Sequence, residues 1–226
     1  MKALVFAAGL GERMRPLTDT TPKPLLLAGG KPLIEWHLEK LAAIGIREVV
    51  VNTSWLAEQF PRTLGDGSRW GIDLHCIYEG ATPLETGGGL WNALPFLRDG
   101  DEAFIAVNGD VWTDFDFAQT GIDADADAHL VLVPNPPQHP RGDFTLAGGR
   151  VGEDSSPGAM RYTYSGLGVY RPGFFAGCTP GRFPLLPLLQ RAIAARRLTG
   201  QLYGGLWQDI GTPERLAAIN AAVPVK

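Results

Sequence analysis

Three unbroken apolar segments constrain the fold of this chain more than any other feature. Residues 4–8, 103–107 and 129–133 are almost wholly apolar and show no polar alternation. Such runs are typical of strands that are covered on both faces, as in parallel sheets. Between the first two runs the sequence predicts a helix over 33–44, opened by Pro32 and stopped at Gly45, and strands over 47–52 and 74–78. A second helix is predicted over 86–97 with Thr86 as its N-terminal cap.

The second half of the chain has a different pattern. A proline-rich loop at 134–143 precedes short predicted strands at 144–146, 150–152 and 161–170. A helix over 185–197, a strand over 206–210 and a last helix capped by Thr212-Pro213-Glu214 follow. We therefore expect a three-layer α/β/α sandwich with a mostly parallel, mixed central sheet. We expect one domain over 1–226, divided into halves 1–133 and 134–226.

Composition excludes several classes of protein. The chain has 226 residues and a net charge of −4, so the basic surface of a nucleic-acid-binding protein is not expected. Its two cysteines show no disulfide or zinc spacing. No segment approaches the roughly 20 apolar residues of a membrane span. We expect a soluble cytoplasmic protein, either monomer or homodimer.

The loop after the first strand combines glycine with fixed cations. Gly9 and Gly11 let backbone N–H groups approach a phosphate. The dinucleotide-binding fingerprint fails because Met14 replaces its third glycine, and the P-loop pattern does not occur. Arg13 and Lys23 lie in the same loop, among three prolines that restrict the backbone. This combination predicts a site for a nucleoside triphosphate.

Two carboxylates follow predicted strands. Asp110 comes after the buried run 103–107, and Asp209 lies at the end of the strand over 206–210. Ligands of open α/β sheets bind at the carboxyl ends of strands. Each aspartate could be a helix cap, but the pair fits a shared Mg²⁺, which takes one or two carboxylates together with phosphate oxygens.

The motifs together resemble those of the sugar-1-phosphate nucleotidyltransferases. Residues 7–18 read Ala-Ala-Gly-x-Gly-x-Arg-Met-Arg-Pro-Leu-Thr and residues 22–25 read Pro-Lys-Pro-Leu, which is similar to the family's signature. The segments 108–110 and 207–214 are similar to its two metal-binding aspartate motifs. The resemblance implies a Rossmann-like nucleotidyltransferase fold and the transfer of a nucleotidyl group to a sugar 1-phosphate. It implies a nucleotide site formed by Ala8, Gly9, Gly11, Glu12, Arg13 and Lys23, and catalysis by Arg13, Lys23, Asp110 and Asp209 with Mg²⁺.

Within that family, three segments indicate a narrower group. Residues 83–89, 107–114 and 142–144 most resemble the N-acetylmuramate-1-phosphate uridylyltransferases of bacterial cell-wall (peptidoglycan) recycling. This resemblance implies UTP as donor, with Glu85 and Gly88 near the uracil. It also implies that the sugar is contacted by Asn108, Gly142, Glu153, Tyr164 and Ser165.

Other functions remain open at this stage. Thymidylyl-, guanylyl- and other uridylyltransferases of sugar phosphates, or a phosphocholine cytidylyltransferase, would share the fold and the phosphate-binding residues. A non-catalytic nucleotide-sugar sensor would be favoured by loss of Arg13, Lys23, Asp110 or Asp209, but all four are present. An NAD-dependent oxidoreductase is disfavoured by the broken fingerprint.

Overall fold

The computed structural model of the protein describes residues 1–154, 156 and 158–223. Thirteen strands occur in these residues: β1 (Ala3–Phe6), β2 (Leu27–Ala28), β3 (Lys31–Pro32), β4 (Glu48–Thr53), β5 (Asp73–Tyr78), β6 (Phe104–Asn108), β7 (Val111–Thr113), β8 (Ala128–Val133), β9 (Phe144–Ala147), β10 (Arg150–Gly152), β11 (Arg161–Tyr170), β12 (Leu198–Leu202) and β13 (Trp207–Asp209). The α-helices of the same residues are α1 (Leu33–Ala43), α2 (Gln59–Leu64), α3 (Glu85–Leu97), α4 (Leu186–Ala194) and α5 (Pro213–Ala222). None of these helices is long and apolar enough to cross a membrane.

Nine strands form the central sheet, in the order β5-β4-β1-β6-β11-β8-β12-β10-β9. The first four are mutually parallel, as the apolar runs of the first half predict. Beyond β6 the sheet becomes mixed, because β11 is antiparallel to both of its neighbours and only β8 and β12 pair in parallel. The predicted mixed α/β sheet is confirmed, and strands from both halves of the chain contribute to it.

Successive side chains of β1 contact helices on opposite faces of the sheet, which defines the three layers. Val5 packs with Leu38 of α1 on one face of the sheet. Its neighbour Leu4 packs with Leu90 of α3 on the other face. All four side chains are fully buried, which stabilises the fold by about 1.5–3 kcal/mol for each side chain. Since β1 is covered on both sides, its carboxyl end opens into a cleft between two helical layers.

Helix α5 packs against the loop after β1 and the residue that follows β13. Leu216 and Ile219 pack against Ile210, Met14 and Leu33 in a separate apolar cluster. Thr212 caps the helix, as predicted, because its side chain accepts a hydrogen bond from the backbone N–H of Arg215. The cap fixes where the segment after β13 turns, and so helps to fix the position of Asp209.

Two predicted boundaries are wrong. Helix α3 begins at Glu85 with Leu84 as its N-cap, so Thr86 lies inside the first turn and its hydroxyl accepts from the backbone N–H of Leu185. The helix predicted to reach residue 197 ends at Ala194, because the chain turns sharply at Arg196 with φ of 57°. The residues after this turn form β12, a strand that the sequence pattern did not reveal.

Candidate active site

Two adjacent cavities lie at the carboxyl edge of β1 and β6. The first cavity has a volume of about 210 Å³ and is lined by Phe6, Ala7, Ala8, Gly9, Lys23, Pro24, Asn52, Glu79, Pro83, Glu85, Thr86, Asn108 and Asp110. The second cavity, of about 410 Å³, is lined by Phe6, Thr86, Asn108, Gly142, Asp143, Phe144, Glu153, Arg161, Tyr164, Leu185, Leu186 and Leu189. Three residues, Phe6, Thr86 and Asn108, line both cavities. Two ligands could therefore meet beside Asn108.

The first cavity contains a buried ion pair. Lys23 lies in a single 3₁₀ turn after Pro22 and is only 8% exposed. Its Nζ donates to Oδ2 of Asp110 at 2.5 Å, across 87 residues of sequence. A buried lysine requires such a partner, because an unpaired charge there would carry a large desolvation cost. The Asp110 side chain keeps 38% exposure, so its other oxygen can meet a ligand.

Asp209 lies beside Asp110 on an adjacent strand. Strand β13 pairs with β7, and the backbone N–H of Ile210 donates to the carbonyl of Asp110 at 2.8 Å. The carboxylate of Asp209 accepts from Nη1 of Arg215 at 2.5 Å and from Nε2 of Gln138 at 2.6 Å. The structure thus places the backbones of the two aspartates side by side, although only Asp110 is among the residues that line the first cavity.

The two aspartates could hold one divalent cation. Among the described residues, no group of three or more His, Cys, Asp or Glu side chains is placed to bind a metal, so an ion at the two aspartates would need further ligands such as phosphate oxygens or water. Both Asp110 and Asp209 are partly exposed, and each carboxylate pairs with a cationic side chain. Two carboxylates with room for phosphate oxygens and water form the ligand set that Mg²⁺ prefers.

The glycine loop after β1 divides into a lining part and a structural part. Ala8 and Gly9 line the first cavity. Gly11 has a φ of 67°, and a Cβ at this position would lie 2.8 Å from Cγ2 of Thr18. Its carbonyl accepts from the hydroxyl of Thr18 at 2.8 Å, which ties the loop to the following turn. Gly11 therefore shapes the loop whose neighbouring residues line the cavity.

Arg13 is not in the cavity wall. Arg13 and Glu12 belong to a 3₁₀ turn after Gly11, and both side chains are exposed. Within residues 1–154, 156 and 158–223, Arg13 makes no side-chain hydrogen bond or ion pair. Its predicted contact with phosphates stays a prediction that requires the loop or the side chain to move inward.

Asn52 and Glu79 form a polar network that the sequence analysis missed. Oδ1 of Asn52 accepts from the N–H of Ala7 at 2.9 Å, and its Nδ2 donates to Glu79 at 2.7 Å. Glu79 in turn accepts from the N–H of Leu84 at 3.1 Å. This network holds the β1 loop, the end of β4 and the start of α3 in one arrangement. Asn52 lies near the carboxyl end of the buried parallel strand β4, but a single polar residue there was not distinctive in the sequence.

Glu85 and Gly88 have different positions on α3. Glu85 has a positive φ of 62°, lines the first cavity and pairs with Nη2 of Arg182 at 2.9 Å. Gly88 is buried instead, and a Cβ there would lie 2.3 Å from the carbonyl oxygen of Gly181. Gly88 therefore lets α3 pack closely on the 181–183 segment, and it is not among the residues that line the cavity.

Most of the predicted sugar contacts lie in one place. Asn108, Gly142, Glu153 and Tyr164 all line the second cavity. Ser165 does not, because it is buried and its hydroxyl accepts from the N–H of Leu167 at 3.2 Å. The same wall contains lining residues that were not anticipated, Asp143, Arg161 and three leucines.

The phenol of Tyr164 is held in its neutral form. Its hydroxyl lies 2.9 Å from the hydroxyl of Tyr170. Burial raises the pKa of Tyr164 well above its ordinary value, because the phenolate would lose its hydration. Tyr164 can therefore offer a hydrogen bond or an aromatic surface to a ligand, but it supplies no charge.

Comparisons with known proteins agree with this arrangement. The family model described as "Nucleotidyl transferase" matches residues 2–147. An N-acetylmuramate alpha-1-phosphate uridylyltransferase of Neisseria meningitidis serogroup B is 46% identical over 98% of this chain and 97% of its own length. A protein of the same name from Caulobacter vibrioides is 34% identical over 97% of this chain and 95% of its own.

Solved structures show the same fold at low sequence identity. The inositol-1-phosphate CTP transferase from T. maritima superimposes with a TM-score of 0.74 at 18% identity, covering 98% of this chain and 97% of the other. Sequence similarity to curated nucleotidyltransferases thus extends over nearly the whole chain. It includes the glycine loop, the two strand-end aspartates and the strands of the mixed sheet. The chain belongs to the nucleotidyl transferase family.

Proposed function

We propose that this protein transfers the uridylyl group of UTP to N-acetylmuramic acid α-1-phosphate, giving UDP-N-acetylmuramic acid and pyrophosphate. The observation that carries the proposal is the meeting of two cavities at Asn108, beside the Lys23–Asp110 pair. Such an arrangement suits two phosphorylated substrates whose phosphates must touch. The proposed place in metabolism is peptidoglycan recycling in the cytoplasm, where both substrates are soluble small molecules.

The first cavity is the proposed donor site. Ala8 and Gly9 line it, and their small size would let a phosphate approach the backbone N–H groups closely. Lys23 supplies a buried point charge for the α-phosphate, and Glu85 lies at the same cavity for the base. Arg13 would approach from the exposed turn and neutralise charge that develops on the leaving pyrophosphate.

Asp110 and Asp209 would hold Mg²⁺ in the loaded enzyme. The bound ion would neutralise charge between the phosphates and help to align them. For this, Asp110 would offer the oxygen that does not face Lys23, and Asp209 would offer lone pairs that its contact with Arg215 leaves free. Lys23 can then transfer its interaction from Asp110 to a substrate phosphate without leaving the cavity.

The second cavity is the proposed acceptor site. An oxygen of the sugar phosphate attacks the α-phosphorus of UTP in line, a P–O bond forms, and the bond to the pyrophosphate leaving group breaks. The attacking oxygen is already anionic, so no residue has to remove a proton. Asn108 lies where the two substrates meet, so its amide is placed to orient the attacking phosphate.

The identity of the two substrates is supported by the relatives. Two proteins that match this chain over almost their entire lengths are both called N-acetylmuramate alpha-1-phosphate uridylyltransferase. A glucose-1-phosphate thymidylyltransferase of Streptomyces griseus is also similar, at 31% identity over 99% of this chain, but the chain covers only 66% of its length. The full-length matches favour the N-acetylmuramate substrate over the other sugar phosphates of the family.

A grid of pyrophosphate-release assays tests the proposal. The four nucleoside triphosphates and thymidine triphosphate would each be combined with N-acetylmuramate, N-acetylglucosamine, glucose and mannose 1-phosphates in the presence of Mg²⁺. We expect the highest kcat/KM with UTP and N-acetylmuramic acid 1-phosphate. Faster release with another pair would support the proposed reaction but identify different substrates. No release with any pair would favour a nucleotide-sugar sensor.

A further inference from the structure

Arg161 gives the second cavity an unusual electrostatic feature. It is the first residue of β11 and, among the described residues that line this cavity, it is the one cation. The same wall contains the carboxylates of Asp143 and Glu153. An acceptor with one or more negative charges would therefore be repelled by most of the charged wall, and Arg161 is the group that can attract it.

The guanidinium of Arg161 is held by backbone atoms and not by a carboxylate. Its Nη2 donates to the carbonyl of Asp143 at 2.5 Å, and its Nη1 lies 3.4 Å from the carbonyl of Asp154. In the part of the chain that the structure describes, Arg161 forms no ion pair. Since a guanidinium carries five N–H donors, the donors that these carbonyls do not use remain for a ligand.

The two acids nearest to it in the cavity wall have other partners. Asp143 accepts from the N–H of Tyr164 at 2.8 Å and from Nε2 of His139 at 2.9 Å. Glu153 accepts from Nε2 of Gln190 at 2.8 Å. These hydrogen bonds hold both carboxylates in place, and neither carboxylate forms an ion pair with Arg161 in the described residues.

The position of Arg161 along β11 decides which anion it can reach. Gly166 of the same strand packs on Asn108, since a Cβ at Gly166 would lie 2.6 Å from the Asn108 amide. The backbone of Arg161 is five residues away from this contact and pairs with Thr145. A fully extended strand would separate the two by roughly 16 Å, and the irregularity between Tyr164 and Gly168 makes this an upper limit. The phosphate of the acceptor must lie at the Asn108 end, next to the donor site. Arg161 is thus placed for a second anion, at the opposite end of the acceptor.

We propose that Arg161 binds a carboxylate on the acceptor sugar and so makes the site selective for an acidic sugar phosphate. The inference rests on the proposed function, because N-acetylmuramic acid differs from N-acetylglucosamine by a lactyl ether that adds one carboxylate and one methyl group. The planar fork of arginine matches a carboxylate with two parallel hydrogen bonds. Leu185, Leu186 and Leu189 form an apolar part of the same wall, which suits the methyl groups of the lactyl and acetyl substituents.

The test compares the binding of two nucleotide sugars that differ only in the lactyl group. Isothermal titration calorimetry would measure Kd for UDP-N-acetylmuramic acid and UDP-N-acetylglucosamine with the wild-type protein, Arg161→Gln, Arg161→Lys and Arg150→Gln. Arg150 is a matched control, because it lies outside both cavities and pairs with Asp125 on the surface. We expect the wild type and the control to bind the acidic nucleotide sugar at least about tenfold more tightly.

Arg161→Gln should remove this preference and leave the affinity for UDP-N-acetylglucosamine within about twofold, which also shows that the variant is folded. Arg161→Lys should keep part of the preference, because it keeps the charge but not the fork. The proposal is overturned if the wild type binds both nucleotide sugars equally or binds neither, or if Arg161→Gln weakens both to the same degree. The binding measurement does not depend on turnover. If the protein releases no pyrophosphate but still shows the Arg161-dependent preference, the proposed function is rejected and the role of Arg161 is retained.

Discussion

Asp110 and Lys23 illustrate what single residues contribute to this site. Both were identified from the sequence because one follows a buried strand and the other lies in a proline-restricted loop. Their contact at 2.5 Å could not be identified in that way, since it joins positions 87 residues apart. Asn52 and Arg161 were missed because a single polar residue at a strand end, or a single arginine in a hairpin, is not distinctive until the fold places it in a cavity wall.

Asp110→Asn tests the proposed metal site. The amide keeps the size of the side chain but removes the negative charge that would bind Mg²⁺ and that now balances Lys23. We expect kcat/KM for pyrophosphate release to fall by about 100-fold or more. The exposed Asp101→Asn serves as the control, and circular dichroism checks folding. Full turnover of a folded Asp110→Asn protein in Mg²⁺ would contradict the role given to Asp110.

Arg215→Met tests the group that holds Asp209. Nη1 of Arg215 lies 2.5 Å from both carboxylate oxygens of Asp209, and this geometry fixes the orientation of the carboxylate. Loss of such an orienting partner typically weakens metal binding by 10–100-fold. We therefore expect the Mg²⁺ concentration for half-maximal activity to rise about tenfold. The exposed Arg62→Met is the control, and a fall in the Mg²⁺ requirement of Arg215→Met would show that the arginine competes with the ion instead.

Helix α3 shows how a secondary-structure element positions the site. Its three consecutive glycines would be poor choices for an isolated helix, since each lowers helix stability by about 1 kcal/mol relative to alanine. The structure explains them by close packing: Cβ atoms at Gly87 and Gly88 would collide with the 181–184 segment, and one at Gly89 with Glu79. The sequence predicted the helix but not its first turn, because the choice between Thr86 and Leu84 as cap depends on contacts with α4.

Gly88→Ala tests this packing. The added methyl group would lie 2.3 Å from the carbonyl oxygen of Gly181, so the helix or the 181–183 segment must shift. We expect the free energy of unfolding to fall by about 1–3 kcal/mol, measured by urea denaturation. Gly173→Ala is a matched control, since a Cβ there would meet no atom within 4 Å. Equal stabilities of the two variants would rule out close packing as the reason for glycine at position 88.

His37 links α1 to β7 and makes this contact sensitive to pH. Its Nε2 lies 2.9 Å from the carbonyl of Val111, and burial lowers its pKa to about 4 from the ordinary value of 6.5. The unfolded chain therefore takes up a proton below pH 6.5, whereas the folded protein does so only near pH 4. The stability that neutral His37 provides is present above pH 6.5 and is lost as the pH falls toward 4.

The corresponding experiment compares urea denaturation at pH 7 and pH 5. From the two pKa values, His37 should account for a loss of about 2 kcal/mol between these conditions. We expect His37→Gln to remove most of this loss, because its amide can still donate to Val111 but does not titrate. His75→Gln, at an exposed position on β5, should keep the full pH dependence. An unchanged pH dependence in His37→Gln would show that other groups control it.

At the scale of the whole molecule, the active site is created by the way the two halves share one sheet. Strand β11 from the second half pairs antiparallel with β6, and this pairing brings the wall of the second cavity against Asn108. The sequence predicted the α/β class and the layers, because buried runs and helices can be recognised locally. It could not predict the strand order or β12, since these depend on pairing between distant segments.

The central claim is that a nucleotidyl group passes between the two cavities, and one labelling experiment tests it most directly. The protein would be incubated with UTP labelled at the α-phosphate, N-acetylmuramic acid 1-phosphate and Mg²⁺, and the products would be separated by ion-exchange chromatography. We predict that the label appears in UDP-N-acetylmuramic acid, with one pyrophosphate released for each nucleotide sugar formed. Label that remained in UTP, or appeared in free UMP without a nucleotide sugar, would contradict this account.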